Sequence, residues 1–107
     1  MNIEYIIVYI PCPTKENAEK IGYELVAQKL AACINIVSEI QSSYWWENKV
    51  QQDKEALLLV KSKLALFSSL EQKVKELHPY KVPCIIALPI IQGNQSYLEW
   101  MDNCLNA

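Results

Sequence analysis

The sequence predicts a single α+β domain over residues 1–107, with elements in the order β-α-β-β-α-β and a terminal helix. Three observations carry that prediction. Apolar residues recur at period two in some stretches and at three-and-four spacing in others. Two extended runs between Ile34 and Ser62 are joined by Tyr44-Trp45-Trp46-Glu47-Asn48-Lys49-Val50, a long hairpin. No linker, repeat or low-complexity segment breaks the order. Two helices on one face of an antiparallel sheet is the split-βαβ, ferredoxin-like arrangement.

Each element has a local reason. Glu4 to Ile10 is rich in β-branched and aromatic residues and reads as a central strand, ended by Pro11-Cys12-Pro13. Thr14 is placed to cap a helix opened by Lys15-Glu16. Ala18, Ile21, Leu25, Val26 and Leu30 mark its apolar face, and Gly22 on that face allows close approach to the sheet. The helix is expected to lead through Ala31-Ala32-Cys33 into the hairpin.

On the first hairpin arm Ile34, Ile36, Ile40, Tyr44 and Trp46 keep the even spacing of a strand with one buried face. On the second arm Ala56-Leu57-Leu58-Leu59-Val60 is a continuous apolar run, as in a strand covered on both faces. Asn48 suits the left-handed backbone of a tight turn. Each arm is about twice the usual ~5–6 residues, so the hairpin should overhang the domain. An overhang carrying Tyr44, Trp45 and Trp46 calls for a partner subunit.

Ser62 is read as the cap of a second helix, with Leu64, Phe67, Leu70, Val74 and Leu77 buried and Glu71-Lys75 an exposed ion pair. His78-Pro79-Tyr80-Lys81-Val82-Pro83 stops it. Ile85 to Leu88 is a short strand, and Ser96-x-x-Glu99 a capping box for the last helix. The second sheet face is expected to lie bare.

Composition excludes several functions. All ten basic residues are lysines, the net charge is -2, and no basic cluster occurs, so nucleic-acid binding lacks both its field and its forked donor. No apolar run reaches the ~18–20 residues of a membrane span. The start of the chain lacks the basic region of a signal peptide, which makes the cytoplasm the expected location. Cys12, Cys33, Cys84 and Cys104 form no C-x-x-C pair and read as reduced, mostly buried thiols. No Ser/His/Asp set, phosphate loop or H-E-x-x-H occurs, so an enzyme is not expected.

The single histidine, His78, has two readings: a helix-end residue whose ring bonds a carbonyl, or a metal ligand. Symmetry in an oligomer would bring it near Cys12 or Cys84, and such a set suits copper or zinc. Lys61, directly after the apolar run, either reaches solvent or sets an ammonium at a pocket edge. Tyr80 and Trp100 read as interface or core aromatics.

Leu30-Ala31-Ala32-Cys33-Ile34-Asn35, Tyr44-Trp45-Trp46-Glu47, Lys61, His78-Pro79-Tyr80-Lys81-Val82-Pro83 and Tyr97-Leu98-x-Trp100 follow one another at the spacing of one family. Together they resemble the CutA family, the divalent-cation tolerance proteins. The resemblance implies a cytoplasmic, non-enzymatic homotrimer tied to tolerance of divalent metals, copper above all. Its long hairpins would meet edge to edge, with Tyr44, Trp45 and Trp46 at the trimer interface. It implies His78 as a copper ligand, with Cys12 or Cys84 as companion. The architecture is also similar to trimeric PII signalling proteins. That likeness implies the alternative of a sensor or scaffold holding a small anionic ligand between subunits, lined by Lys61, Tyr80 and Trp100.

The chain departs from the family in four places. A second histidine common before His78 is Leu77 here, and a glycine common in the turn is Asn48. A glutamate common after V-P is Cys84, and the cysteine near the end of the first strand falls at about Ile10, two residues before Cys12. Acylphosphatases resemble this topology but hold phosphate with an arginine, and this chain has none.

Overall fold

A computed structural model describes residues 2–105. Its elements are β1 (Tyr5–Cys12), α1 (Lys15–Ala27), β2 (Cys33–Trp46), β3 (Lys49–Lys63), α2 (Phe67–Leu77), β4 (Ile86–Pro89) and α3 (Gln95–Leu105). The four strands form one antiparallel sheet in the order β2-β3-β1-β4.

The core follows from register. Ile6, Val8, Ile10 and Cys12 alternate inward along β1, opposite Ser62, Val60, Leu58 and Ala56 of β3. Against them pack Ala18, Ile21 and Leu25 of α1 and Leu70 and Val74 of α2. Gly22 is buried there, and an added Cβ would meet Ile34 and Leu58. Thr14 caps α1 as expected, its Oγ1 accepting from the Asn17 amide at 3.0 Å.

Several local expectations are corrected. β1 continues through Pro11 to Cys12, because β4 leaves it at Tyr9 and Pro11 has a strand neighbour on one side only. Cys12 therefore shares the core face of Ile10. The first helix stops at Ala27: Leu30 and Lys29 donate back to the Leu25 and Val26 carbonyls, with Lys29 in the left-handed region at φ 58°. Ser62 belongs to β3 and donates to the Leu30 carbonyl at 2.7 Å. A 3-10 turn at Leu64–Leu66 leads into α2, which has no side-chain cap. Ser96 lies inside α3, and Glu99 accepts from Gln95 rather than closing a capping box. The Glu71-Lys75 pair forms, at 3.4 Å.

The hairpin turns on Glu47 and Asn48, both at positive φ, the pattern of a two-residue turn between Trp46 and Lys49. Its outer half overhangs, since β1 pairs with β3 no further than Ala56. A bulge between Val37 and Ile40 overturns the even-spacing reading of β2. Ile34 and Ile36 face the helices; Ile40, Ser42, Tyr44 and Trp46 come out on the opposite face, in line with Asp53 and Glu55.

That opposite face is not wholly bare. α3 covers one end, burying Met101 and Leu105, and is tied down by charge. Lys63, 6% exposed, meets Asp102 at 2.9 Å and Glu4 at 3.2 Å, while Tyr5 Oη donates to Asp102 at 2.9 Å. Farther along, Val37, Ile86 and Leu88 stay exposed.

Candidate functional site

The segment after α2 crosses the end of β1 and builds a groove with the hairpin. His78 stops the helix with extended backbone and turns inward, only 6% exposed. Its Nε2 lies 2.8 Å from the Pro11 carbonyl, and its Nδ1 accepts from the Tyr80 amide at 3.2 Å. Since a carbonyl can only accept and an amide N–H only donate, the ring is neutral with its proton on Nε2. The carbonyl-bonded reading of His78 thus describes this structure, with both ring nitrogens occupied.

The Tyr80 side chain then reaches over β3. Its hydroxyl donates to Glu55 Oε2 at 2.7 Å, just beyond the last β1–β3 pair, and its ring packs on the imidazole at 4.7 Å. Glu55 is an acid buried to 8% exposure. Around it lie Pro11, Ser42, Tyr44, Trp45 and Trp46 on one side and Tyr80 to Val82 with Cys84 on the other, enclosing about 610 Å³. Such a volume lies within the range of small-molecule sites.

Electrostatics in the groove are set by burial and by carboxylates. The Tyr80 hydroxyl is raised far above its ordinary value by burial and then by Glu55. Tyr44 is raised by its hydrogen bond to Asp53. Burial, with Glu55 second, pushes Cys12 up to about 12 and moves Cys84 in the same direction. Both are therefore thiols, not thiolates, at neutral pH.

The anticipated residues divide between two places. His78, Tyr80, Cys84, Tyr44, Trp45 and Trp46 gather at or beside the groove; Cys12 lies beneath it in the core, fully buried. Lys61 and Trp100 sit instead against Tyr97 of α3: the Lys61 ammonium is 5.4 Å from that ring and the Trp100 ring 5.3 Å. Within one chain they do not join Tyr80. Among the described residues no three His, Cys, Asp or Glu side chains converge as a ready metal site. Glu55 carries no functional signature of its own in the sequence, because adjacent charges on a hairpin normally face water. Its place beside the apolar run was the available signal.

Residues 6–104 match the model of the CutA1 divalent ion tolerance proteins. The chain belongs to that family. The rice protein CutA 1, chloroplastic, is 49% identical over 98 residues, covering 92% of this chain and 55% of the relative. The divalent-cation tolerance protein CutA of Thermus thermophilus is 48% identical, covering 89% of this chain and 92% of the relative. This CutA1-family chain thus spans about half the length of its plant relatives and most of the bacterial one. Its fold matches the crystal structure of rice CutA1 with a TM-score of 0.92 at 47% identity, covering 95% and 94% of the two chains. Against CutA1 of Shewanella sp. SIB1 the TM-score is 0.95 at 34% identity, with full coverage of both. Among the described residues no helix is long and apolar enough to cross a membrane.

Proposed function

We propose that this CutA1-family chain serves divalent-cation tolerance as a non-enzymatic, cytoplasmic homotrimer that binds copper. The metal reading is carried by one observation: Cys84 opens into the groove beside the buried carboxylate of Glu55. Thiolate is the ligand that soft copper(I) selects, and binding would release the Cys84 proton. The sequence points first to His78, with Cys12 or Cys84 as its companion. His78 reaches a metal only by giving up its bond to Pro11 or to Tyr80, and Cys12 only if the core opens. Cys84 is therefore the leading ligand, with neighbouring copies supplying the rest.

Assembly is supported by what one chain leaves uncovered: the hairpin overhang, with Trp45 73% exposed, and Val37, Ile86 and Leu88 on the sheet face. Four unpaired thiols are compatible with a reducing compartment. The buried acid at Tyr80 disfavours the alternative of an anionic ligand there.

Calorimetric titration of the fully reduced protein with copper(I), with mass read by light scattering, tests both parts. Saturable binding to a trimer, lost in Cys84→Ser, is the expected result. Equal binding by wild type, Cys84→Ser and His78→Ala would remove the site, and a monomer would remove the assembly.

A further inference from the structure

We infer that the groove between the hairpin and residues 80–84 is a binding site for a small organic cation of the alkylammonium type. Tyr44, Trp45, Trp46 and Tyr80 give it aromatic walls, and Glu55 sets a carboxylate in its floor. A second carboxylate, Asp53, is held by the Tyr44 hydroxyl.

The combination selects the ligand. Aromatic faces carry negative quadrupole charge and attract a cation that sheds water easily, which an alkylated ammonium does and a bare metal ion does not. Without a carboxylate the same walls would take a neutral apolar molecule equally well. Glu55 breaks that tie, because its charge is buried and cannot be fully screened by solvent. Lys81 also lines the groove, but it is exposed and its flexible stem can carry the ammonium to water. Ser42, Tyr44 and Trp46 reach this face only because of the bulge in β2, so the groove is a product of the fold rather than a leftover of an apolar stripe.

This inference does not depend on copper. Cys84 would serve the metal and the aromatic walls the ammonium, so separate substitutions should remove each.

The chain has three tryptophans, two in the groove and Trp100 against Tyr97 on α3. Fluorine NMR of the assembled protein carrying fluorotryptophan reads all three, with Trp45→Phe assigning the signals. Choline chloride is titrated against its uncharged carbon analogue, 3,3-dimethylbutan-1-ol, at constant ionic strength. Saturable shifts of Trp45 and Trp46 with choline, with Trp100 still and at least tenfold weaker binding of the neutral analogue, are expected. Glu55→Gln should weaken choline binding tenfold or more while Cys104→Ser, on α3 and outside the groove lining, leaves it unchanged. If Glu55→Gln disturbs folding, Trp45→Ala replaces it, with its assembled mass matched to wild type by light scattering because the hairpin is also the proposed assembly surface; weakened choline binding is then read on Trp46. Absence of saturation, equal binding of the neutral analogue, or equal binding by these groove variants would overturn the inference and leave the copper result standing.

Discussion

The imidazole of His78 donates to the carbonyl of Pro11 across 67 positions of sequence, at 2.8 Å. This bond fastens the end of α2 to the end of β1. Its second nitrogen receives the Tyr80 amide, and Tyr80 in turn holds Glu55, so one ring sets the height of the groove wall. The residue that looked like a ligand is, within one chain, the part that holds the groove in shape.

Removing that ring should be felt throughout the molecule. His78→Ala leaves the Pro11 carbonyl and the Tyr80 amide without their partner, and each unsatisfied buried group costs about 1–3 kcal/mol. We expect unfolding by urea to show a loss of about 2–3 kcal/mol at matched protein concentration, which must be fixed because assembly contributes to stability. A loss below about 0.5 kcal/mol would mean that the bond is incidental.

Acid should release α3 from the sheet. Asp102 is held below its ordinary carboxylate value, first by its hydrogen bond to Lys63 and then by that from Tyr5. A carboxyl lowered in the folded state contributes stability that is present above its unfolded value of 3.8 and lost as pH falls through the folded value. Lys63 is raised by the same hydrogen bond, so its contribution holds below 10.5 and is lost only as pH rises through the folded value. Melting temperature against pH should therefore fall on the acid side, and Asp102→Asn should flatten that fall. Parallel curves for the two proteins would place the acid sensitivity elsewhere.

Much of this fold is legible in the residues, and the exceptions have physical causes. Thr14, the Asn48 turn, the overhang and the order of elements along the chain follow from local chemistry and periodicity, and they stand in the structure. The bulge is different. Ser38 and Glu39 are ordinary strand-compatible residues, and nothing in their identity marks the slip that turns Tyr44 and Trp46 to the other face. Pro11 misled because a proline ends a strand only where a neighbour needs its missing N–H. His78, Tyr80, Cys84 and the hairpin aromatics were visible as candidates by type; that they meet around Glu55 depends on contacts 25 to 67 positions apart, beyond any local pattern.

The end of α1 offers a stabilising change. Lys29 is exposed and occupies the left-handed region at φ 58°, where a side chain costs about 1 kcal/mol and glycine costs nothing. The two amide bonds that close the helix end do not involve its side chain. Lys29→Gly should raise stability by about 0.5–1 kcal/mol, seen as a higher urea midpoint with an unchanged slope. A lower midpoint would show that the entropy of the unfolded glycine outweighs the relieved backbone.

Gly22 poses the opposite case, a glycine whose replacement pits two effects against each other. Alanine inside a helix is favoured over glycine by about 1 kcal/mol. Here, however, the new Cβ would stand 3.0 Å from Ile34 Cδ1 and 3.1 Å from Leu58 Cδ1. Both atoms are ends of side chains, so they can yield a few tenths of an ångström. Leu58 is fully buried in a packed core and has little room to yield into, and overpacking of this kind costs about 1–3 kcal/mol. The steric term is the larger, so Gly22→Ala should lower stability by up to about 2 kcal/mol. Shortening the obstacle with Ile34→Val should recover part of that loss in the double variant, a coupling readable from a mutant cycle. Additive losses would show that α1 shifts as a body rather than pressing on Ile34.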